Sequence, residues 1–284
     1  MASRRQAVKR GIPPRFSREQ ILDSPSRKIG ISMEMESRLR QYMVGFMSDV
    51  VKMLKLDRAI LVSASTLLHT FYMVFPMNSR YDKYHVIAAC ICLAGKLEEQ
   101  RCTVLHLAEV ILYLRNKVKL SKTSPQLVEF QDRTLSCEIL VLRAIGFNLC
   151  PQSPHEHIER IARCVTSYGD QIKNIIDFAG RFANDSLKSP ICTVESSETI
   201  AIACVHMAII WMNMSLPPNE RLSVDSRWYM NHFQDAEPFA IEYVCQQVLD
   251  VLEHPLSQKC LPKAQHSKQS VSVLSPTRRK PSPS

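Results

Sequence analysis

The sequence predicts an all-α protein built as two helical halves, and three observations lead there. Seven of the 284 residues are glycine while 45% are hydrophobic; sandwiches and barrels need many turns, which favour glycine, so helices joined by Pro, Ser and Asn suit this composition better. Apolar residues recur at spacings of three and four along most of the chain, which is the helical period. One such stretch also repeats. Offset by 114 residues, His85 to Ala94 overlays Thr199 to Ala208, with identities at Ala89/Ala203, Cys90/Cys204 and Ala94/Ala208. Small residues let neighbouring helices approach a central one. Each half is therefore expected to hold five helices with the third in the middle.

The elements follow in order. Residues 1–15 are basic, hold Gly11, Pro13 and Pro14, and read as unstructured. Phe16 to Leu22 reads as one short helix, stopped by Ser24-Pro25-Ser26. Glu34 to Leu54 places Leu39, Met43, Phe46, Met47, Val50 and Leu54 on one face. Asp57 is the N-cap of the next helix, whose inner face is Ile60, Ala64, Leu67, Leu68 and Phe71. Pro76 closes that region. Asp82 caps a third helix running to about Glu98, and Thr103 a fourth through Leu107, Val110, Ile111 and Leu114. After a loop at Ser121 to Pro125, the fifth helix runs from Gln126 to Ile145 with Leu135, Ile139, Leu142 and Ile145 facing inward, and Gly146 ends it with positive φ. A Pro-bounded linker, Leu149 to Pro154, precedes helices at His155–Val165, Gln171–Leu187 and Ser197–Met214, a short one at Trp228–Phe233, and a last one at Glu237–Leu252. That last helix buries Ile241, Val244, Cys245, Val248, Val251 and Leu252. The expected organisation is a basic N-terminus 1–15, a first half 16–148, a second half 149–253 and a disordered basic tail 254–284.

The net charge of +9 is unevenly spread. Residues 1–18 carry six Lys/Arg and no acid, and residues 254–284 carry another six (Lys259, Lys263, Lys268, Arg278, Arg279, Lys280) and no acid. That leaves 24 basic against 27 acidic residues in 19–253, a slightly acidic globule between basic ends. Such ends either bind nucleic acid, act as a nuclear address (Arg278, Arg279 and Lys280 in particular), or simply keep the chain soluble. Ser275-Pro276 and Ser282-Pro283 flank that cluster and fit proline-directed phosphorylation at Ser275 and Ser282, which would reduce its charge.

Ten cysteines are present without one Cys-x-x-Cys pair, so zinc ribbons and fingers are excluded. Cys90, Cys92, Cys137, Cys204 and Cys245 fall in apolar helical runs and read as small buried hydrophobes. A reducing compartment, cytosol or nucleus, follows. The longest apolar run, Thr199 to Trp211, is broken by His206 and is short of the ~20 residues of a membrane span, so no membrane association is expected. There is no Gly-rich phosphate loop, His-Glu-x-x-His or Gly-x-Ser-x-Gly. His155-Glu156-His157 is too closely spaced for a two-histidine helix site. Cys102 and His106 have the spacing but no second pair, and Cys164 with His157 makes a poor nucleophile pair. Neither a metal nor a cofactor is expected. Two basic groups, Arg80/Tyr81/Lys83/Tyr84 and Lys52/Lys55/Arg58, read as solvated helix ends, because an acidic globule is a poor phosphate binder.

The motif with most content is Leu93-Ala94-Gly95-Lys96-Leu97-Glu98-Glu99-Gln100, which ends a small-residue apolar helix, together with Cys137-Glu138 through Phe147 on the fifth. A lysine ending one helix beside a glutamate on another suits capture of peptide groups at a partner's helix end. The ammonium donates to carbonyls and the carboxylate accepts from N–H groups, each such bond being worth ~1.5–3 kcal/mol. The same residues also suit a plain intramolecular ion pair, and the residues alone leave both open.

In order and spacing these motifs resemble the transcription-type cyclins, closest to the cyclin T and cyclin K group with cyclin L near. Phe16-Ser17-Arg18-Glu19-Gln20 followed by Ser24-Pro25-Ser26-Arg27 resembles the segment before the first helix of cyclin T. His69-Thr70-Phe71-Tyr72-Met73 resembles the end of the second helix in both cyclin T and cyclin K. Leu93 to Glu99 resembles the kinase-gripping motif, and Pro154-His155 the start of the second box. Asn184 to Leu187 and Glu198 to Ala201 resemble cyclins K and L. The resemblance covers about 16–253 and implies two tandem five-helix cyclin boxes. It implies a regulatory subunit, not an enzyme, bound to a cyclin-dependent kinase of the transcription class. Through that kinase it would act on the RNA polymerase II C-terminal domain in the nucleus and support elongation. Residue by residue, Lys96 and Glu138 would form the polar grip, with Glu99 beside them and Leu93, Leu97, Leu142, Phe147 and Leu149 as the apolar floor. Gly95 departs from the alanine common in cyclin T and agrees with cyclin K. Only about 30 residues follow 253, so recruitment of other factors is expected to use the globule, the short ends or another protein. Two rivals share the fold: a scaffold that binds without activating, and an initiation factor of the transcription factor IIB kind. The second would need basic DNA-facing helices that this globule lacks.

Overall fold

The computed structural model describes residues 16–78, 80–100, 102–121, 123–149, 152–165, 169–217, 221–222, 225–234 and 236–253, with the backbone alone at 169–170. The ends at 1–15 and 254–284, expected to be unstructured, lie outside the described residues, as do Ser275, Ser282, Arg278, Arg279 and Lys280. Among the described residues the regular structure is entirely helical.

Two short helices open the chain. Arg18–Leu22 (α1) is fixed by a capping box: Gln20 N donates to Ser17 Oγ at 3.3 Å, and Ser17 N donates to Gln20 Oε1 at 2.8 Å. The Ser24-Pro25-Ser26 stretch does more than stop it. Ser24 is the N-cap and Pro25 the first residue of a second turn, Pro25–Lys28 (α2). Proline at that position forfeits no helical N–H bond and supplies helical φ.

The first half is then Met33–Met53 (α3), Arg58–Val74 (α4), Lys83–Leu97 (α5), Val104–Asn116 (α6) and Pro125–Ala144 (α7). Asp82 and Thr103 cap α5 and α6 as their positions predict, accepting from Tyr84 N at 2.9 Å and His106 N at 3.3 Å. Asp57 occupies the N-cap of α4 but leaves its own helix uncapped. Its carboxylate instead accepts from Gln100 Nε2 at 2.5 Å while its N–H donates to Gln100 Oε1 at 3.0 Å. α5 is the central helix, with an unbroken buried run from His85 to Gly95.

The inner face of α7 differs from the expected one. Ile145 is buried, Leu142 is half-buried, and Leu135 and Ile139 are exposed at 48% and 53%. The inward line is Leu127, Phe130, Thr134, Glu138 and Val141. Both lines obey the same spacing, and the true one is disguised by two polar residues whose needs are met locally. Thr134 Oγ1 donates to Phe130 O at 2.8 Å, and Glu138 pairs with Lys96.

The second half is His155–Val165 (α8), Gly169–Ser186 (α9), a 3-10 turn at Pro190–Thr193, Ser197–Ser215 (α10), a 3-10 turn at Trp228–Asn231 and Pro238–Glu253 (α11). The Trp228 segment is thus a single 3-10 turn, not an α-helix, and Leu252 points outward at 41% exposure. α10 is long and apolar enough to cross a membrane by length and composition, but 61% of its most apolar 18-residue stretch is buried inside the protein, where it centres the second core. α5 and α10 each centre a core. Their shared residues, Ala89/Ala203, Cys90/Cys204 and Ala94/Ala208, are all fully buried, where small side chains let flanking helices close in.

A polar network at the junction was not legible beforehand. Arg40 on α3 is buried, and its Nη2 donates to Glu36 Oε1 at 2.7 Å. Its Nη1 lies 3.1 Å from His69 Nδ1. A guanidinium only donates, so Nδ1 accepts, Nε2 carries the proton, and Nε2 donates to Leu187 O at 2.9 Å. The end of α9 is thereby tied to α4. The N-terminal segment makes a second tie. Phe16 N donates to Thr193 O at 2.8 Å. Arg18 bonds Glu195 Oε1 at 2.7 Å, with its guanidinium 4.4 Å from the ring centroids of both Phe239 and Tyr243.

Candidate functional site

The end of α5 and the length of α7 form the candidate surface. Lys96 lies in the last turn of α5 with its side chain largely exposed, whereas Glu138 is almost wholly buried in mid-α7. The two are joined, Nζ donating to Oε1. The lysine is turned toward solvent and the carboxylate inward.

The turn after Lys96 is tightly fixed. Gln100 N donates to Gly95 O at 2.9 Å, which closes the helix end in a 6→1 bond, and Glu99 takes φ +53° within it. Ser63 Oγ donates to Glu98 Oε1 at 2.6 Å, so Glu98 ties the turn to α4 while Glu99 stays exposed. A Cβ on Gly95 would lie 3.0 Å from Gln100 O, and that close approach explains the glycine.

The end of α7 has the same construction. Gly146 and Phe147 both take φ +59°, Phe147 N donates to Leu142 O at 2.9 Å, and the Phe147 ring is left 67% exposed. Positive φ is costly for a phenylalanine. Leu97, Leu142 and Leu149 are half-buried. Leu93 is a core residue and supports this surface from beneath instead of presenting to it. Val128, Leu135 and Ile139 extend the apolar line along the outer face of α7 toward Leu142 and Phe147. The three-to-four spacing signals that line, but spacing alone does not tell it from the core face.

Other groupings have structural partners. His155 lies 3.3 Å from Ser153 Oγ and 3.1 Å from Asn184 Oδ1, and His157 lies 3.1 Å from Ser197 Oγ. Cys164 Sγ donates to Arg160 O at 3.5 Å. Among the described residues no three His, Cys, Asp or Glu are grouped to hold a metal, and the described cysteines are free. Burial pushes the Cys92 thiol up to about 12, with the neighbouring Cys102 and Glu138 adding to the effect; it stays protonated and inert. Of the basic–aromatic group, Lys83 Nζ lies over the Tyr42 and Tyr84 rings at 5.0 and 5.4 Å, and Arg80 lies over Tyr81 at 5.6 Å. These aromatic faces are engaged within the protein.

Residues 16–150 match the family model of the cyclin N-terminal domain. This chain is a relative of the transcription-type cyclins. It is 27% identical to human (Homo sapiens) cyclin-T1 over 253 residues, covering 86% of this chain and 32% of that one. It is 30% identical to cyclin-L1-1 of Oryza sativa subsp. japonica over 248 residues (84% and 54%), and 24% identical to human cyclin-K over 236 residues (83% and 40%). The chain thus spans a third to about half of these cyclins. The fold is shared with a chain of the yeast RNA Pol II CTD kinase CTDK-1 complex, at TM-score 0.65 and 20% identity over 88% of this chain and 79% of that one. It is also shared with a chain of the yeast TFIIK (Kin28/Ccl1/Tfb3) complex, at TM-score 0.60 and 16% identity over 82% and 95%.

Proposed function

We propose that this cyclin relative is a non-catalytic regulatory subunit that binds a cyclin-dependent kinase of the transcription class and holds it active. Residues 16–148 and 149–253 would be its two cyclin boxes. The observation that carries the reading is the Lys96–Glu138 pair, which joins the end of α5 to α7, a helix whose outer line of Val128, Leu135 and Ile139 is exposed and which is followed by the exposed Phe147. A helix of the kinase laid on that apolar line would bury it. Lys96 would turn from Glu138 to carbonyls at the helix end while the carboxylate accepts N–H groups there, so the ion pair keeps both groups oriented until the partner arrives. Pinning that helix inward sets the kinase's glutamate against its ATP-binding lysine, an arrangement phosphoryl transfer requires.

The kinase would phosphorylate the C-terminal domain of RNA polymerase II in the nucleus and promote elongation. The polymerase machinery would be met indirectly, through the kinase. Kinship with cyclins T, L and K and a fold shared with chains of CTD-kinase and TFIIK complexes support this. The test is phosphorylation of a polymerase-repeat peptide by purified transcription-class kinases with and without the full chain. Stimulation lost in Lys96→Ala/Glu138→Ala is the expected result. Binding to a kinase that survives the double substitution, with no stimulation, would leave a scaffold instead.

A further inference from the structure

A second apolar surface lies in the other half, remote from α5 and α7. α10 contributes Ile210, Trp211 and Met214 to one wall, and α11 contributes Cys245, Leu249 and Leu252 to the other; Phe182 and Tyr229 are among the remaining lining residues. The groove encloses about 770 Å³. Trp211 is 51% exposed and Met214 74%, so the walls carry more bare apolar surface than a scattered surface residue would. Burial holds His206 below its ordinary pKa, leaving Glu242 and Arg227 as the charged groups of the lining.

We propose that this groove is covered by the chain's own following segment, Leu256 to Leu261. The described chain leaves at Glu253, one residue past Leu252 on the groove's wall. Pro255 comes next but one, and a proline there disfavours continuation of α11 and suits a change of chain direction. The lengths agree. From Leu252 back to Ile241, α11 spans about 16 Å at a rise of 1.5 Å per residue. The five-residue step from Leu256 to Leu261 covers about 16 Å when extended at ~3.3 Å per residue. Two leucines so spaced would reach the two ends of the groove. Charge agrees as well. α11 carries Glu242, Asp250 and Glu253 and no base, while 254–284 carries Lys259 and Lys263 and no acid. An antiparallel return brings Lys263, two residues past Leu261, to the Glu242 end. This inference does not depend on the kinase reading, since it concerns the opposite half.

Trp211 reports on it directly, because the other tryptophan, Trp228, is 4% exposed and so contributes a shielded background. In the full chain, acrylamide quenching and emission maximum should show Trp211 shielded at every protein concentration. Full-length Leu256→Asp/Leu261→Asp, altered only outside the folded core, should shift the emission to the red and raise quenching several-fold. Met214→Glu, on the groove's own wall, should do the same. A freely quenched tryptophan in the unsubstituted chain overturns the proposal. So does shielding that survives Leu256→Asp/Leu261→Asp, or shielding that appears only as concentration rises, which would assign the groove to a second copy.

Discussion

His69 Nε2 meets the carbonyl oxygen of Leu187 at 2.9 Å, and this bond joins the second helix of the first half to the end of α9. The histidine is fully buried, and Arg40 occupies its other ring nitrogen. Burial chiefly, with Arg40 adding, pushes its pKa down to about 3.

A pH dependence follows from that shift. The unfolded histidine takes up a proton near pH 6.5, whereas the folded one resists it to about 3. The folded pKa is the lower, so the contribution of neutral His69 is intact above about pH 6.5 and is lost as pH falls toward 3, at up to about 1.4 kcal/mol per pH unit. Urea melts between pH 7.5 and 5 should show this fall. His69→Gln keeps an acceptor for Arg40 and a donor for Leu187, and should flatten the slope by about one proton. An unchanged slope would remove His69 from the account.

On α7, Leu135→Lys and Ile139→Lys should each change stability by less than about 0.5 kcal/mol, as outward-facing substitutions do. Leu127→Ala, on the buried line, should cost about 2–5 kcal/mol. If the outer line docks a kinase, the two lysine variants should fold normally and fail to stimulate it. Denaturant melts together with the peptide-phosphorylation assay separate the two effects.

This helix also marks where the sequence was readable and where it was not. The extents of α3, α5, α6, α8 and α10 followed from periodicity, and Asp82 and Thr103 from capping chemistry, because those signals are local. The pairing of α5 with α10 followed from their shared small residues. Which face of α7 turned inward could not be read, since Thr134 and Glu138 lie on the buried line and are satisfied by Phe130 O and Lys96, partners set by the helix itself and by tertiary structure. The Arg40–Glu36–His69 network was hidden for the same reason. A charged pair four residues apart on a helix looks like a surface pair until α4 is laid over it. Lys96 and Glu138 were legible as a pair, but the left-handed Phe147 and the bonds that hold the turn at Gln100 were not.

The Arg18 clamp predicts an order among substitutions. Arg18→Ala removes the Glu195 bond and both ring contacts, and should cost about 1 kcal/mol for a part-exposed site of this kind. Arg18→Lys keeps the charge but not the flat guanidinium, and should recover only part. Amide exchange at 17–28 should rise from the unsubstituted protein through Arg18→Lys to Arg18→Ala, because Phe16 and Arg18 tie this segment to the second half. Equal exchange in all three proteins would mean that Ser24, Ser26 and Glu36 hold the segment unaided.

Gly95→Ala sets two effects against each other. In mid-helix, alanine is favoured by about 1 kcal/mol. Here the added Cβ would lie 3.0 Å from Gln100 O, so the turn must give way by a few tenths of an ångström. It is poorly able to. Gln100 is held by its N–H on Gly95 O and by both ends of its amide on Asp57. Gly95→Ala should therefore lower the melting temperature and displace Lys96; if Lys96 grips a kinase as proposed, stimulation of that kinase should weaken along with stability. Gln100→Ala should by itself be mildly destabilising, but it frees the turn from Asp57. Combined with Gly95→Ala it should cost less than the sum of the two, with a favourable coupling of about 0.5 kcal/mol or more in a double-mutant cycle. Strict additivity would place the strain elsewhere, on the Cys102 side, where the same Cβ would sit in ordinary contact at 3.5 Å.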